Sequence, residues 1–206
     1  MNYNQTLSWL FKRLPMYQRV GAPAMRLGLD QMNRLSAALG NPHRSLKCIH
    51  IAGTNGKGST AHMLASVLQT AGYTVGLYTS PHIKDFRERI KINGQPIDKD
   101  IVVDYVNENL DTLEAGNYSF FEATVGMAFS TFAKTQVDVA IIEVGLGGRL
   151  DATNIITPIL SIITHISKDH QQFWEIPSKQ LPRKRLGLSK RMCLLYWVRT
   201  RKRCAR

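Results

Sequence analysis

The sequence is short of cysteine, of long apolar runs, and of acid at its C-terminal end. Its three cysteines, Cys48, Cys193 and Cys204, form no CxxC pair and no Cys/His pair at zinc spacing, and an odd count argues against a disulfide framework. A zinc module and a disulfide-stapled secreted domain are therefore excluded, and a reducing cytoplasm is the expected location. No run approaches the roughly 18 apolar residues that a membrane span requires. The N-terminal MNYNQTLSWLFKRLPMY has too short an apolar stretch for a signal peptide. No internal repeat and no low-complexity linker is present. At 206 residues the chain fits one domain with an appendage, against a prior of roughly 150 residues per domain.

The formal charge of +12 points first to a nucleic acid or a membrane surface. Its distribution points elsewhere. Residues 174–206 hold 11 of the 27 Lys and Arg, with Glu175 their only acid, whereas residues 1–173 hold 16 basic and 14 acidic side chains. The body is thus nearly neutral and, at 44% hydrophobic content, reads as an ordinary globular domain. No nucleic-acid partner and no membrane partner is expected.

Along the chain, 7–39 reads as helices broken around Pro15 and Pro23 and stopped by Gly40, Asn41 and Pro42. A strand over 47–52 leads through a glycine-rich loop into a helix over 59–70, and a second strand covers 74–79. ERIKINGQPI reads as a hairpin turning at Asn93-Gly94. Helical patterns follow over 100–114 and 120–134, the second with Phe121, Phe129 and Phe132 as core. VDVAIIEV, 137–144, is the near-continuous apolar run of a buried parallel strand, and 155–166 supplies another. Strands alternating with helices place the chain in the α/β class, as a three-layer domain with a mostly parallel sheet.

The sharpest chemical signal is Gly53-Thr54-Asn55-Gly56-Lys57-Gly58-Ser59-Thr60, between the first strand and its helix. Glycines let backbone amides curl around phosphate oxygens, Lys57 adds a point charge for the outer phosphates, and Ser59 or Thr60 can reach a magnesium ion. The loop departs from the strict GxxxxGK[ST] form: Ile51 stands at the first glycine position, and Gly58 separates lysine from serine. The alternative is a tight turn that merely needs glycine. Glu143, at the end of the buried strand and ahead of Gly145, Gly147 and Gly148, faces the crevice where ligands sit in parallel sheets. A magnesium ligand is its natural role, a solvated strand-end acid the alternative. Ser80-Pro81-His82 ends the second strand, and His170 follows the strand that ends near Ile166. Four strand-end features converge on one sheet edge. Asp85, Arg87, Glu88 and Arg89 read, without further information, as a solvated charged loop.

MRLGLDQM, HIAGTNGKGST, GLYTSPHI with DFRERIKING after it, FFEATVGMAF and VDVAIIEVGLGGRLDATN, in this order, resemble the folylpolyglutamate synthase and dihydrofolate synthase group of the Mur ligase superfamily. The resemblance covers roughly residues 20–173. It implies a P-loop domain like the Mur ligase central domain, with ATP and Mg2+ as cofactors and folate or dihydropteroate and L-glutamate as substrates. It implies amide formation through an acyl phosphate, in a cytoplasmic enzyme that is monomeric at full length. Gly53 to Thr60 would bind ATP. Lys57, Glu143 and His170 would be catalytic, and Ser80, Glu143 and His170 the magnesium ligands. Pro81, His82, Asp85, Phe86, Arg87 and Arg89 would border the pterin substrate, and Arg149, Asp151 and Asn154 would shape the active-site loop.

The resemblance stops after Phe173. The family continues with a helix carrying a Glu-Lys-Ala-Gly-Ile segment, whose lysine becomes carbamylated and helps to bind a second magnesium, and then with a C-terminal domain. Residues 174–206 are instead basic and proline-broken. Codons can be chosen for Trp174 to Met192 that, read in the neighbouring frame, spell Leu-Gly-Asp-Thr-Ile-Glu-Ala-Ile-Ala-Ala-Glu-Lys-Ala-Gly-Ile-Ile-Lys, the family's expected continuation. Residues 1–173 are accordingly read as an incomplete ATP-binding domain and 174–206 as an out-of-frame, disordered tail on a truncated, inactive ligase. A Mur-type ligase acting on a cell-wall precursor and a non-enzymatic nucleotide-binding remnant are the rival readings.

Overall fold

The computed structural model describes residues 1–15, 28–166 and 194–196. The expected break at Pro23, the proposed ligand His170 and most of the basic tail lie outside them. Helix α1 (Tyr3–Arg13) starts at a capping box in which Asn2 and Gln5 satisfy each other's backbone N–H groups. It ends at Leu14, which is extended ahead of Pro15. Helix α2 (Asp30–Ala38) is stopped as its sequence predicts: Gly40 and Asn41 take positive φ, and Pro42 opens a 3-10 turn over Pro42–Ser45.

Strand β1 (Cys48–Ala52), helix α3 (Lys57–Thr70) and strand β2 (Val75–Tyr78) form the expected strand, glycine loop, helix and strand. β3 (Ile90–Ile92) and β4 (Gln95–Pro96) make the hairpin, turning at Asn93 (φ 49°) and Gly94 (φ 77°), the pair of positive φ values that a tight hairpin matching strand twist demands. The helical pattern over 100–114 is split into α4 (Lys99–Glu108) and α5 (Leu110–Ala115). The side-chain amide of Asn109 donates to the Tyr105 carbonyl at 2.7 Å, the local competition that makes asparagine a helix breaker. Helix α6 (Phe120–Lys134) opens on a Ser119/Glu122 capping box, and β5 (Val139–Glu143) follows.

The strand expected over 155–166 is shorter. Ala152–Ile155 is a 3-10 turn capped by Asp151, and β6 covers only Leu160–Ile163, because Pro158 has no N–H to give a ladder. Leu194–Tyr196, within the segment expected to be disordered, is strand β7, paired parallel with β6.

The sheet order is β4-β3-β2-β5-β1-β6-β7, antiparallel in β4-β3-β2 and parallel beyond. Helix α3 covers one face, setting Ala61 and Ala65 on Ile49, Ile51, Val75, Leu77, Val139 and Ile141. The other face carries the larger core, which α1, α2, α4 and α6 build around Leu10, Leu35, Tyr78, Phe129 and Phe132. With both faces covered, the three layers are those that the alternating pattern predicts. The parallel register sends the carboxyl ends of β1, β2, β5 and β6 to one edge, which is where the site must be.

Gly76 shows how closely this core is packed. A Cβ there would stand 2.7 Å from the Phe132 ring. Gly76→Ala is expected to destabilise the chain by about 1–3 kcal/mol through overpacking, read as a lower urea midpoint. Adding Phe132→Leu should recover part of the loss; an unchanged midpoint in Gly76→Ala would contradict this packing.

Candidate nucleotide and metal site

The chain leaves β1 through Gly53, whose φ of +148° and position against β6 exclude a side chain: a Cβ would lie 1.9 Å from Thr164 Oγ1. The carbonyl of His165 accepts from Thr54 N at 2.8 Å and from Asn55 N at 3.3 Å, pinning the near half of the loop to the strand beside it. Gly56, with φ of +87°, turns the chain into α3. The amides of Lys57, Gly58 and Ser59 therefore open a helix, where N–H groups have no intrahelical partner and the dipole favours an anion. Lys57 folds over this turn, its Nζ donating to the carbonyls of Gly53 at 3.1 Å and Thr54 at 3.3 Å.

Glu143 stands across from the loop. β1 and β5 pair Ile51 with Glu143, and β2 lies on the other side of β5. Glu143 Oε2 accepts from the backbone N–H of Ser80 at 3.0 Å, so the residue after β2 meets the residue ending β5. A Cβ on Gly58 would lie 3.8 and 3.9 Å from the two carboxylate oxygens; glycine there keeps the helix start open to the acid. Glu143 is only 4% exposed. Burial pushes its carboxyl above the ordinary value, against the pull of the Ser80 amide and the Lys57 charge. The structure thus joins Lys57, Gly58, Ser80 and Glu143.

Among the described residues no group of three or more His, Cys, Asp or Glu is placed to hold a metal. The Glu143 carboxylate nevertheless suits magnesium, which is held by one or two carboxylates together with substrate phosphates and water.

The 81–89 loop is braced rather than solvated. Glu88 accepts from the amides of Ile83, Lys84 and Asp85 at 2.7, 3.1 and 2.9 Å. Asp85 pairs with Arg87 at 2.8 Å, and the guanidinium holds the carboxyl down at about 2. Pro81 is exposed and His82 half-buried. Phe86 and Arg89 turn inward: Phe86 packs edge-on to Phe120, and Arg89, 4% exposed, lies over the Phe120 ring and donates Nε to His82 Nδ1 at 2.8 Å. Helix α1 reaches the same loop, with Tyr3 donating to Asp85 Oδ1 at 3.2 Å and Phe11 stacked on Phe120 and tilted to His82. Only the coming together of residues some 80 and 110 positions apart reveals that contact; no local signal gives it.

After β5, the Gly145–Gly148 turn closes on Asp151, whose Oδ2 accepts from Leu146 N at 2.8 Å. Asn154 donates to the Arg149 carbonyl at 2.9 Å. Asp151 and Asn154 thus shape this loop through hydrogen bonds.

A glycine turn, a helix N-terminus and a buried acid on the carboxyl edge of a parallel sheet make a candidate nucleotide site in an α/β domain. The comparisons narrow the class. Residues 51–177 match the Mur ligase middle domain. The dihydrofolate synthase/folylpolyglutamate synthase of Bacillus subtilis is 40% identical over 195 residues, covering 91% of this chain and 44% of that protein. The apo form of L. casei FPGS superposes with a TM-score of 0.85 at 37% identity, over 95% of this chain and 48% of that one. An FPGS-AMPPCP-folate complex superposes with a TM-score of 0.84, also at 37% identity, over 95% and 48%. The chain belongs to the Mur ligase family, with its matches in the folylpolyglutamate and dihydrofolate synthase group. It spans less than half the length of those relatives.

Two outcomes test the geometry. Gly53→Ala, which must displace Thr164, is expected to abolish nucleotide binding measured by calorimetry; binding at native affinity would contradict the close approach to β6. The second is a pH dependence. The folded chain holds the Glu143 proton more tightly than the unfolded chain, whose value is about 4.3, so the group costs nothing at low pH and destabilises as pH rises through its raised pKa. Glu143→Gln should therefore gain stability relative to the native chain as pH rises above about 4.3, read from urea midpoints in metal-free buffer. A pH-independent difference would contradict the burial.

Proposed function

We propose that this chain carries the ATP-binding part of a ligase that joins L-glutamate to a folate, as a tetrahydrofolylpolyglutamate synthase with dihydropteroate as a further candidate substrate. The observation that carries the reading is the Glu143 carboxylate, buried, bonded to the Ser80 amide and within the field of Lys57. The similarity to an FPGS structure solved with AMPPCP and folate supports it. The SPHI to ERIKING stretch disfavours a ligase for a cell-wall precursor.

In this reading the amides opening α3 hold the triphosphate, and Lys57 exchanges the Gly53 and Thr54 carbonyls for its outer oxygens. Glu143 and Ser80 would hold Mg2+ together with His170, which lies outside the described residues; the ion supplies charge neutralisation on the phosphates. The folate carboxylate attacks the γ-phosphorus, forming an O–P bond as the bond to the β-phosphate oxygen breaks and ADP departs. The glutamate amine then attacks the acyl carbon, inorganic phosphate leaves, and the amine gives up a proton. Charge gathers on the transferring phosphoryl group, so positioned cations carry most of the acceleration. Pro81 and His82 line the folate side. Asp85, Phe86, Arg87 and Arg89 shape that wall from behind, since they are paired or packed inward. A reducing cytoplasm suits the buried thiol of Cys48, which burial pushes up to about 12 and so keeps unreactive.

Residues 174–206 are proposed to be read out of frame, and the 206-residue chain to ligate nothing. Sequencing the coding DNA and adding one base near codon 174 tests both ideas. The expected result is a long open frame whose product forms folylglutamate from ATP, folate and glutamate, while the 206-residue chain forms none. A frame that closes at once, or ligation by the short chain, would overturn them. In the frame-restored enzyme Lys57→Met should lower turnover about 100-fold or more; native turnover would remove Lys57 from the chemistry.

A further inference from the structure

We infer that His50 is a positioning residue for the Gly145–Gly148 turn, acting on it through the Thr153 hydroxyl and the Asp151 carboxylate. His50 lies fully buried in β1, paired with Ile142 one residue before Glu143, and the sequence gives it no role.

Its Nε2 is 2.8 Å from Thr153 Oγ1. The same hydroxyl donates to Asp151 Oδ1 at 2.5 Å, and that oxygen also accepts from Thr153 N at 3.0 Å. Asp151 Oδ2 accepts from Leu146 N. With donors converging on both its oxygens, Asp151 acts as an acceptor. The one proton of the threonine hydroxyl is thus committed to Asp151, so toward His50 the hydroxyl can only accept. His50 must donate from Nε2.

A neutral imidazole carries a single N–H, so Nδ1 is bare, and it is Nδ1 that has no hydrogen-bond partner among the described residues. Burial lowers the pKa of the ring to about 3, which keeps it neutral. A leucine would spare the sheet this stranded nitrogen, and an unsatisfied buried atom in a native core calls for an explanation. The bond from Nε2 supplies one. It ties β1, which runs on from His50 into the phosphate turn at Gly53, to the loop that leaves β5 after Glu143. Asp151 N also donates to the Gly148 carbonyl at 3.0 Å, and Asn154 N to the Asp151 carbonyl at 2.8 Å, so the whole 145–154 loop closes around the carboxylate that His50 steadies.

The consequence for turnover rests on the ligase reading; the positioning role does not. The test uses the 206-residue chain without substrate. Nitrogen-15 NMR should show His50 as the Nε2–H tautomer. Hydrogen exchange at the Leu146 amide should quicken roughly tenfold in His50→Leu and return toward the native rate in His50→Gln, whose amide can donate from the Nε2 position. Thr153→Val should also quicken it roughly tenfold, and the double variant with His50→Leu should add nothing further; where His50→Leu does not fold, the tautomer of the native chain decides. An Nδ1–H tautomer, or equal exchange in Leu and Gln variants, would overturn the inference. In the frame-restored enzyme His50→Leu should lower kcat roughly 10- to 100-fold with KM for ATP nearly unchanged. A complete absence of ligation in the native restored enzyme would overturn the ligase reading alone, because tautomer and exchange need no chemistry.

Discussion

A carboxylate taken out of water at the end of β5 sets the terms for the rest of this structure. Glu143 is tolerated there because the Ser80 amide meets it and Lys57 lies close by. Both partners are delivered by parallel pairing: β5 lies between β2 and β1, and each of those strands ends in the segment that faces the acid. The sheet order thus does electrostatic work. A buried acid without such neighbours would be neutral and of little use to a metal.

The glycine positions follow from the same crowding. Gly53 passes against Thr164, Gly58 leaves the carboxylate accessible, and Gly145 lies so close to the Phe121 ring that a Cβ would fall 2.4 Å from it. Loop flexibility does not account for Gly53 and Gly145; at each, another group occupies the space a side chain would need, whereas at Gly58 a Cβ would only come into ordinary contact with the carboxylate. The site's rigidity comes from fixed bonds around these narrow passages, such as those from Thr54 and Asn55 to the His165 carbonyl and from Leu146 to Asp151.

The sequence made the sheet legible because β1, β2 and β5 are apolar runs buried on both faces, bounded by glycine. The hairpin was legible because Asn-Gly dictates its own turn. That Lys57 and Glu143 face each other was legible from the glycine-loop motif after β1 and from the position of the acid at the end of β5. Three features were not. The break at Asn109 depends on one side-chain bond to Tyr105 that periodicity does not encode. The inward turn of Phe86 and Arg89 depends on Phe120, from a distant helix. The partnership of His50 with Thr153 spans 103 residues, and a histidine amid isoleucines in a strand carries no mark of its partner.

Lys57, Ser80 and Glu143 converge on the carboxyl edge of the sheet, and we propose that together they grip a triphosphate and its metal. Calorimetric titration of AMPPCP into the 206-residue chain and its Glu143→Gln variant, each with and without Mg2+, tests this most directly. Binding that strengthens with Mg2+ in the native chain and loses that dependence in Glu143→Gln is the predicted result. Equal Mg2+ dependence in the two proteins, or tighter binding by both without the ion, would contradict it.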